Sequence, residues 1–546
     1  MRSNRRDVLR MAGFSIAAAG ITASSLLQGE PAHRLSRISQ PGDYDVRLFG
    51  AKGDGTSVDS PAINAAIEAA AKAGGGTVRL PAGTYACYSI RLKSNIVLYL
   101  EPGCMLLAAS VPEQGTTSGG YDAAEPNPCE QYQDFGHSHW HNSLIWGEGL
   151  HDIAIIGTGL IYGKGLSVGR KREPPLAELP GVGNKSIALK NCHNVLLRDF
   201  SILQGGHFGI LATGVDNLTI DNLKIDTMRD GIDVDCCHNV RITNCSVNSP
   251  WDDGICPKSS FALGYARTTE NLTISDCFVT GNYRLGTMLD GSYQHFASGE
   301  HGAPTGRIKL GTESAGGFRN VTISNCVFDQ CAGFALESVD GAIVEDITFT
   351  GITMRECANS VLLLRLGRRM RAPQGTAIGS MRRIILSNIV SSNCKSKFAS
   401  TISGVPGYNI EDVKLCDLYF HHDGQGTAAM AALEPEEKET TYPSSGMFGP
   451  LPAHGFFIRH ARNLEFSNIE IACEQPDARP AFWLQDVEGA DFFRIKTPRV
   501  GSPRVFDLRA VKDFTVQSSR GLNNLSLEKI EKQTIDLETP GKSANL

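Results

Sequence analysis

Three aspartates have the type and spacing for acid–base chemistry. Asp230 opens Asp-Gly-Ile-Asp-Val-Asp235, and Asp252 and Asp253 open Asp-Asp-Gly-Ile-Cys-Pro-Lys-Ser259. Asp230 lies 22 residues before Asp252. If that separation is one turn of a coil, the second motif lies on the first, and strands stacked this way sit ~4.8 Å apart. Solvent-facing carboxylates that close raise one another's pKa, so one can donate a proton while another accepts one. The plainer reading is that all three only turn the chain. Neighbours in a strand point oppositely, so Asp252 and Asp253 can act together only at a bend, which Pro250 favours.

The coil is legible in the middle of the chain. With Asn194, Asn217, Asn239, Asn271 and Asn320 as position zero, apolar residues recur one and three positions on, then six and eight on. Five on stand Asp199, Asn222, Asn244, Asp276 and Asn325, residue types that tolerate left-handed backbone at a bend. The intervals of 23, 22, 32 and 49 residues read as single turns, one turn with an insertion, and a double turn. Short strands facing one interior on a repeat of about 22 residues describe an all-β, right-handed parallel β-helix. Because the Asx column already occupies position five, Asp230, Asp252 and Asp253 fall at a different corner. Three acids there exceed what turn-making needs.

Other segments fit around this coil, within one domain at 43–520. Ser60-Pro61 starts a helix at about 60–73 with Ile63, Ala66, Ile67 and Ala70 on its apolar face, and Gly74-Gly-Gly76 stops it. Such a helix suits a plug for an open coil end. Residues 104–143 and 422–455 read as inserts, the second acidic and rich in Pro and Gly; residues 521–546 read as a cap and tail. In the first insert His137, His139 and His141 alternate, so on a strand they share a face, as metal ligands do. The reading preferred is a groove wall in which Trp140 stacks on a sugar, with no metal and no cofactor. Cys245, Cys277 and Cys326 fall in the column of Phe200 and Leu223, so they read as buried apolar residues rather than metal or disulfide partners.

The first 30 residues read as an address. Asn4-Arg-Arg-Asp-Val-Leu-Arg10 precedes a modestly apolar run, the pattern of a twin-arginine export signal and hence of a periplasmic or secreted protein. Without residues 1–30 the net charge goes from −6 to −8, since four Arg and two acids leave with them. That balance offers no basic footprint for nucleic acid. No later run reaches the ~20 apolar residues of a membrane span.

The motifs carry a resemblance. Phe49-Gly-Ala-Lys-Gly-Asp-Gly, Pro81-Ala-Gly-Thr-Tyr, Arg229-Asp-Gly-Ile-Asp233, Asp252-Asp-Gly-Ile-Cys-Pro-Lys-Ser259 and Gly306-Arg-Ile-Lys309 resemble, in order, the motifs of glycoside hydrolase family 28. This is the family of polygalacturonases and rhamnogalacturonan hydrolases. The resemblance implies an inverting, metal-independent hydrolase of acidic plant polysaccharide or oligosaccharide. Asp252 would be the general acid, Asp230 and Asp253 would hold and deprotonate the attacking water, and Arg307 and Lys309 would contact an acidic sugar. An inverting pair is expected at ~6.5–9.5 Å. Three departures stand out: Met228-Arg229 replaces Asn-Thr, Gly254 replaces Cys, and no histidine occurs near Tyr283-Arg284-Leu285-Gly286, where Tyr283 or Arg284 is the candidate to fill the space. The readings set against hydrolysis are a polysaccharide lyase on the same coil and a non-catalytic glycan-binding β-helix.

Overall fold

The structure is a computed structural model describing residues 42–538 apart from 111–119, 169–178, 298, 396 and 499–502. The twin-arginine segment lies outside the described residues. Parallel strands stack in three columns. Asp216–Asp221, His238–Thr243 and Thr269–Ser275 belong to the first, Lys224–Asp226, Ser246–Asn248 and Phe278–Thr280 to the second, and Phe208–Thr213, Asp230–Asp235 and Ile255–Lys258 to the third. Register follows the repeat: Leu218 faces Val240 and then Leu272, while Ile225 faces Val247 and then Val279. In the third column Ile210, Ile232 and Ile255 continue the same inward stack. All of these side chains are buried, each contributing roughly 1.5–3 kcal/mol of apolar burial.

The bend between the first two columns is built from Asn and Asp. Asp199, Asn222, Asn244, Asp276 and Asn325 all take left-handed backbone, with φ between 55° and 73°. So do the position-zero asparagines, which also bond to one another up the coil. Asn217 donates to Asn194 at 2.9 Å, Asn239 to Asn217 at 3.2 Å, and Asn271 to Asn239 at 3.0 Å. Beyond residue 343 the two columns run together in long bent strands, Ile343–Arg355, Ser380–Cys394 and Ile410–His422.

Both ends of the stack are covered. The helix Ser60–Lys72 buries Ile63, Ala66, Ile67 and Ala70; its N-cap is Asp59 rather than Ser60, and Pro61 follows in the first turn. At the other end Leu525–Asp536 pairs antiparallel with Arg504–Gln517. Cys104–Ala108 is a second-column strand, so the first insert begins after it. Cys245, Cys277 and Cys326 are at most 2% exposed, and all fifteen cysteines are free thiols. No helix among the described residues is long and apolar enough to cross a membrane.

Candidate active site

The three aspartates meet where the chain enters the third column. Asp230 begins its strand, while Asp252 and Asp253 lie in the turn before Ile255–Lys258. One carboxylate oxygen from each lies within 4.8 Å of one from both others. The Asp253 amide donates to Asp230 at 3.2 Å and to Asp252 at 3.1 Å. Glycine permits this approach. A Cβ on Gly231 would stand 2.5 Å from the Gly254 carbonyl, and one on Gly254 2.9 Å from that of Gly306. The glycine found in place of the expected cysteine is therefore the floor of the site.

Two expectations about this trio are corrected. The carboxylates do not all face solvent: Asp230 is 4% and Asp253 1% exposed, and only Asp252 is half-buried. Their closest oxygens are also nearer than the ~6.5–9.5 Å of an inverting pair. Lys258, Arg307 and Lys309 pack against the two buried carboxylates.

Each acid has a different electrostatic neighbourhood. Asp252 receives Nε and Nη2 of Arg229 on one oxygen, at 3.1 and 2.8 Å. Asp253 receives Arg307 Nε at 2.9 Å and lies 2.5 Å from Lys309 Nζ. Burial opposes its charge, but Lys309 and Arg307 hold its carboxyl well below the usual range. Asp230 has the weakest compensation, its one ammonium, Lys258, standing 3.6 Å away. Burial, then the charges of Asp252 and Asp233, push its carboxyl well above the usual range.

A buried polar layer lies beneath. Lys258 Nζ is 3.6 Å from Asp230, Asp233 and Glu313 alike. Despite burial, the charge of Asp233 leads those that keep Lys258 protonated. His137, from the first insert, bonds Asp233 at 3.1 Å. Glu337 is fully buried beside Arg307 and Lys309, and burial raises its carboxyl. Asp233 and Lys258 were not among the sequence candidates, although strand parity turns both away from the core on which Ile232 and Ile255 stack. Glu313 and Glu337 gave no signal, and His137, noted only as one of three alternating histidines, reaches Asp233 through folding alone.

The remaining candidates scatter. Phe135–Ser138 is a 3-10 turn, which breaks the assumed strand parity of the histidines. His139 bonds the Glu125 carbonyl and His141 bonds Glu148, so the three do not converge. Trp140 is fully buried with its Nε1 donating to Thr213, and presents no platform for a sugar. Arg284 pairs with Glu300, and the side chain that touches the proposed acid is Arg229. Among the described residues, three groups hold ligand atoms within 4.8 Å of one another: Asp134–His137–Glu313, His137–Asp230–Asp233 and the aspartate trio. Each is already served by a cation of the chain, respectively Arg371, Lys258, and the set of Arg229, Arg307 and Lys309.

Both inserts wall this column. On one side His137 packs edge-on to Phe208, at 4.6 Å between ring centres, and Trp140 packs with Ala188 and Leu211. On the other, Tyr442 accepts a hydrogen bond from Thr312 at 2.9 Å, while Arg365 and Arg459 lie buried beneath carbonyls of residues 435–438. The second insert thus rests Tyr442 and its backbone carbonyls on the column while Glu434 and Glu436 stay exposed. Arg371 joins the first insert to the site's edge, bonding Asp134 at 3.0 Å and standing 3.6 Å from Glu313.

Comparison with known proteins agrees with this architecture. Residues 186–368 match a family model described as a right-handed beta helix region, and residues 44–123 one described as rhamnogalacturonase A/epimerase, pectate lyase-like. A probable polygalacturonase of Vitis vinifera is 24% identical over 322 residues, 56% of this chain and 60% of its own length. A mannuronan C5-epimerase of Azotobacter vinelandii is 67% identical over 71 residues, 13% of this chain and 7% of that one. Among solved structures, an exopolygalacturonase of Thermotoga maritima superposes with a TM-score of 0.57 at 18% identity, over 79% of this chain and 91% of that one. A family 28 exopolygalacturonase of Yersinia enterocolitica gives 0.51 at 16%, over 84% and 75%. The chain is a right-handed parallel β-helix with polygalacturonase relatives and a pectate-lyase-like N-terminal region.

Proposed function

We propose that this protein is a glycoside hydrolase of family 28 type that cleaves pectic oligosaccharides or polysaccharides, with Asp230, Asp252 and Asp253 as its reacting groups. The observation that carries the reading is the convergence on one corner of three carboxyls, each with a different set of cationic partners. Asp252, the most accessible, gives its proton to the leaving oxygen as the glycosidic bond breaks. Asp253, kept ionised by Lys309 and Arg307, orients a water against the anomeric carbon. Asp230, whose raised pKa makes it the stronger base once ionised, takes that water's proton. The inverting outcome rests on the family resemblance, since the short separation alone points the other way.

The walls add a mode of action. A groove along the third column is covered on both sides of the trio, which suits a chain end rather than the middle of a polymer. The two exopolygalacturonases with this fold are in keeping with that reading.

A single time course on galacturonan, rhamnogalacturonan and their oligomers tests all of this, with viscosity, product size and product anomer followed together. The expected result is small products from the first minutes, little loss of viscosity and inverted stereochemistry. Early mixed oligomers would overturn the exo reading. An unsaturated, ultraviolet-absorbing end would identify a lyase, and no new reducing ends would leave a glycan-binding β-helix.

A further inference from the structure

The proposed base is served by a cation that it shares. Lys258 is 3% exposed, and its ammonium sits at one distance, 3.6 Å, from Asp230, Asp233 and Glu313. It also donates to Cys256 Sγ at 3.3 Å. Two of its carboxylates have other partners: Asp233 has His137 at 3.1 Å, and Glu313 has Arg371 at 3.6 Å. Asp230 has no other lysine or arginine within 4.0 Å among the described residues, while Asp252 and Asp253 face it with further negative charge. Arg229 makes its hydrogen-bonded ion pair with Asp252 and acts on Asp230 only through its charge. The charge left for Asp230 therefore depends on how firmly Asp233 and Glu313 are held by their outer partners.

We propose that Lys258 is a positioning residue that sets the pH at which Asp230 becomes a base, and that His137, carried in by the first insert, adjusts this through Asp233. The proposal rests on the hydrolase reading above. Its logic is competition for one ammonium. When His137 binds Asp233, that carboxylate draws less on Lys258, and more of the cation's field falls on Asp230. Losing His137 turns Asp233 toward Lys258 and leaves Asp230 less compensated. Losing Lys258 removes the one ammonium within 4.0 Å of Asp230 among the described residues. An opposite charge at this range moves a carboxyl by about one to three pH units.

The test is the pH profile of kcat/KM for the full chain, with Lys258→Met, Lys258→Arg and His137→Gln beside wild type. Removing a cation raises the carboxyl's pKa, so the acid limb should move to higher pH by about one unit or more in Lys258→Met. It should move less, in the same direction, in His137→Gln, and stay near wild type in Lys258→Arg. A folding defect is separated by circular dichroism and by Lys258→Arg. A carboxyl titration followed by carbon-13 NMR, with Asp230→Asn identifying the resonance, reads the same shift without activity. Variants that lose rate uniformly across pH, with the limb and the resonance unmoved, would overturn the proposal. A wild type without hydrolysis at any pH would instead overturn the reading beneath it, and the NMR titration would still test the charge-sharing.

Discussion

Two corners of the coil stack polar side chains rung upon rung, and they satisfy them by opposite means. Where the chain enters the first column the stacked groups are carboxamides, each carrying a donor and an acceptor, so Asn239 donates to Asn217, Asn217 to Asn194, and Asn194 to Asp152. At the third column the stacked groups are carboxylates, which only accept when ionised. Stacking them without compensation would cost several kcal/mol for each buried charge. The chain brings in Arg229, Lys258, Arg307 and Lys309, and leaves Asp230 with the smallest share. One corner is closed on itself. The other is held in an unresolved balance of protons, which is what acid–base chemistry needs.

The largest effect should come from removing a proton from that balance. Asp252→Asn keeps the shape of the half-exposed side chain and retains an acceptor for Arg229 while losing the proton it gives to the leaving oxygen. Hydrolysis should fall by about 10²–10⁴-fold or more, measured as reducing-end release, with the thermal transition little changed. Retained activity would remove Asp252 from the acid role.

The two buried members of the trio should then respond with opposite signs in stability. Asp253→Asn strands Arg307 and Lys309 without their counter-charge, and should destabilise by about 3–5 kcal/mol in urea unfolding at neutral pH. Asp253's folded pKa is depressed, so its contribution is present above the unfolded value and fades as pH falls through the folded one. Asp230 is the reverse: its folded pKa is raised, so ionising it as pH climbs past the unfolded value works against the fold. Asp230→Asn should therefore stabilise at neutral pH by about 0.5–2 kcal/mol while abolishing turnover. Equal losses in both variants would mean that the three carboxyls share one environment.

The contrast also explains what the sequence disclosed. The amide corner repeats every turn, so Asn217 and Asn239 announce both the coil and its bend. The third-column corner announced its aspartates because Asp230 and Asp252 sit one turn apart within short Gly-Ile motifs. Its counter-charges were half legible. Arg307 and Lys309 follow from the motif order, whereas Asp233 and Lys258 were not among the sequence candidates, although strand parity turns both away from the core. Glu313, Glu337, His137 and Tyr442 come from segments 28 to 130 residues from their partners, and no local period predicts such meetings. The histidine face failed for a local reason, since a 3-10 turn replaced the strand that alternation assumed. The open, solvent-facing site failed for a tertiary one, because Lys258, Arg307 and Lys309 of neighbouring turns pack against Asp230 and Asp253.

The smallest expected effect tests the corner that does no chemistry. Asn217 holds φ at 53°, donates to Asn194 and accepts from Asn239. Alanine there loses both ladder bonds and meets the left-handed penalty without a compensating side chain, so Asn217→Ala should cost about 1–2 kcal/mol. Glycine relieves the backbone cost and leaves only the ladder to be missed, so Asn217→Gly should cost less than alanine if backbone strain dominates, and about the same if the ladder does. Urea unfolding of the two variants at one pH separates these terms. Activity should be untouched in both, because the amide corner bears on the carboxyl corner only through the shared core. A drop in kcat/KM with either variant would show that the two corners are mechanically coupled after all.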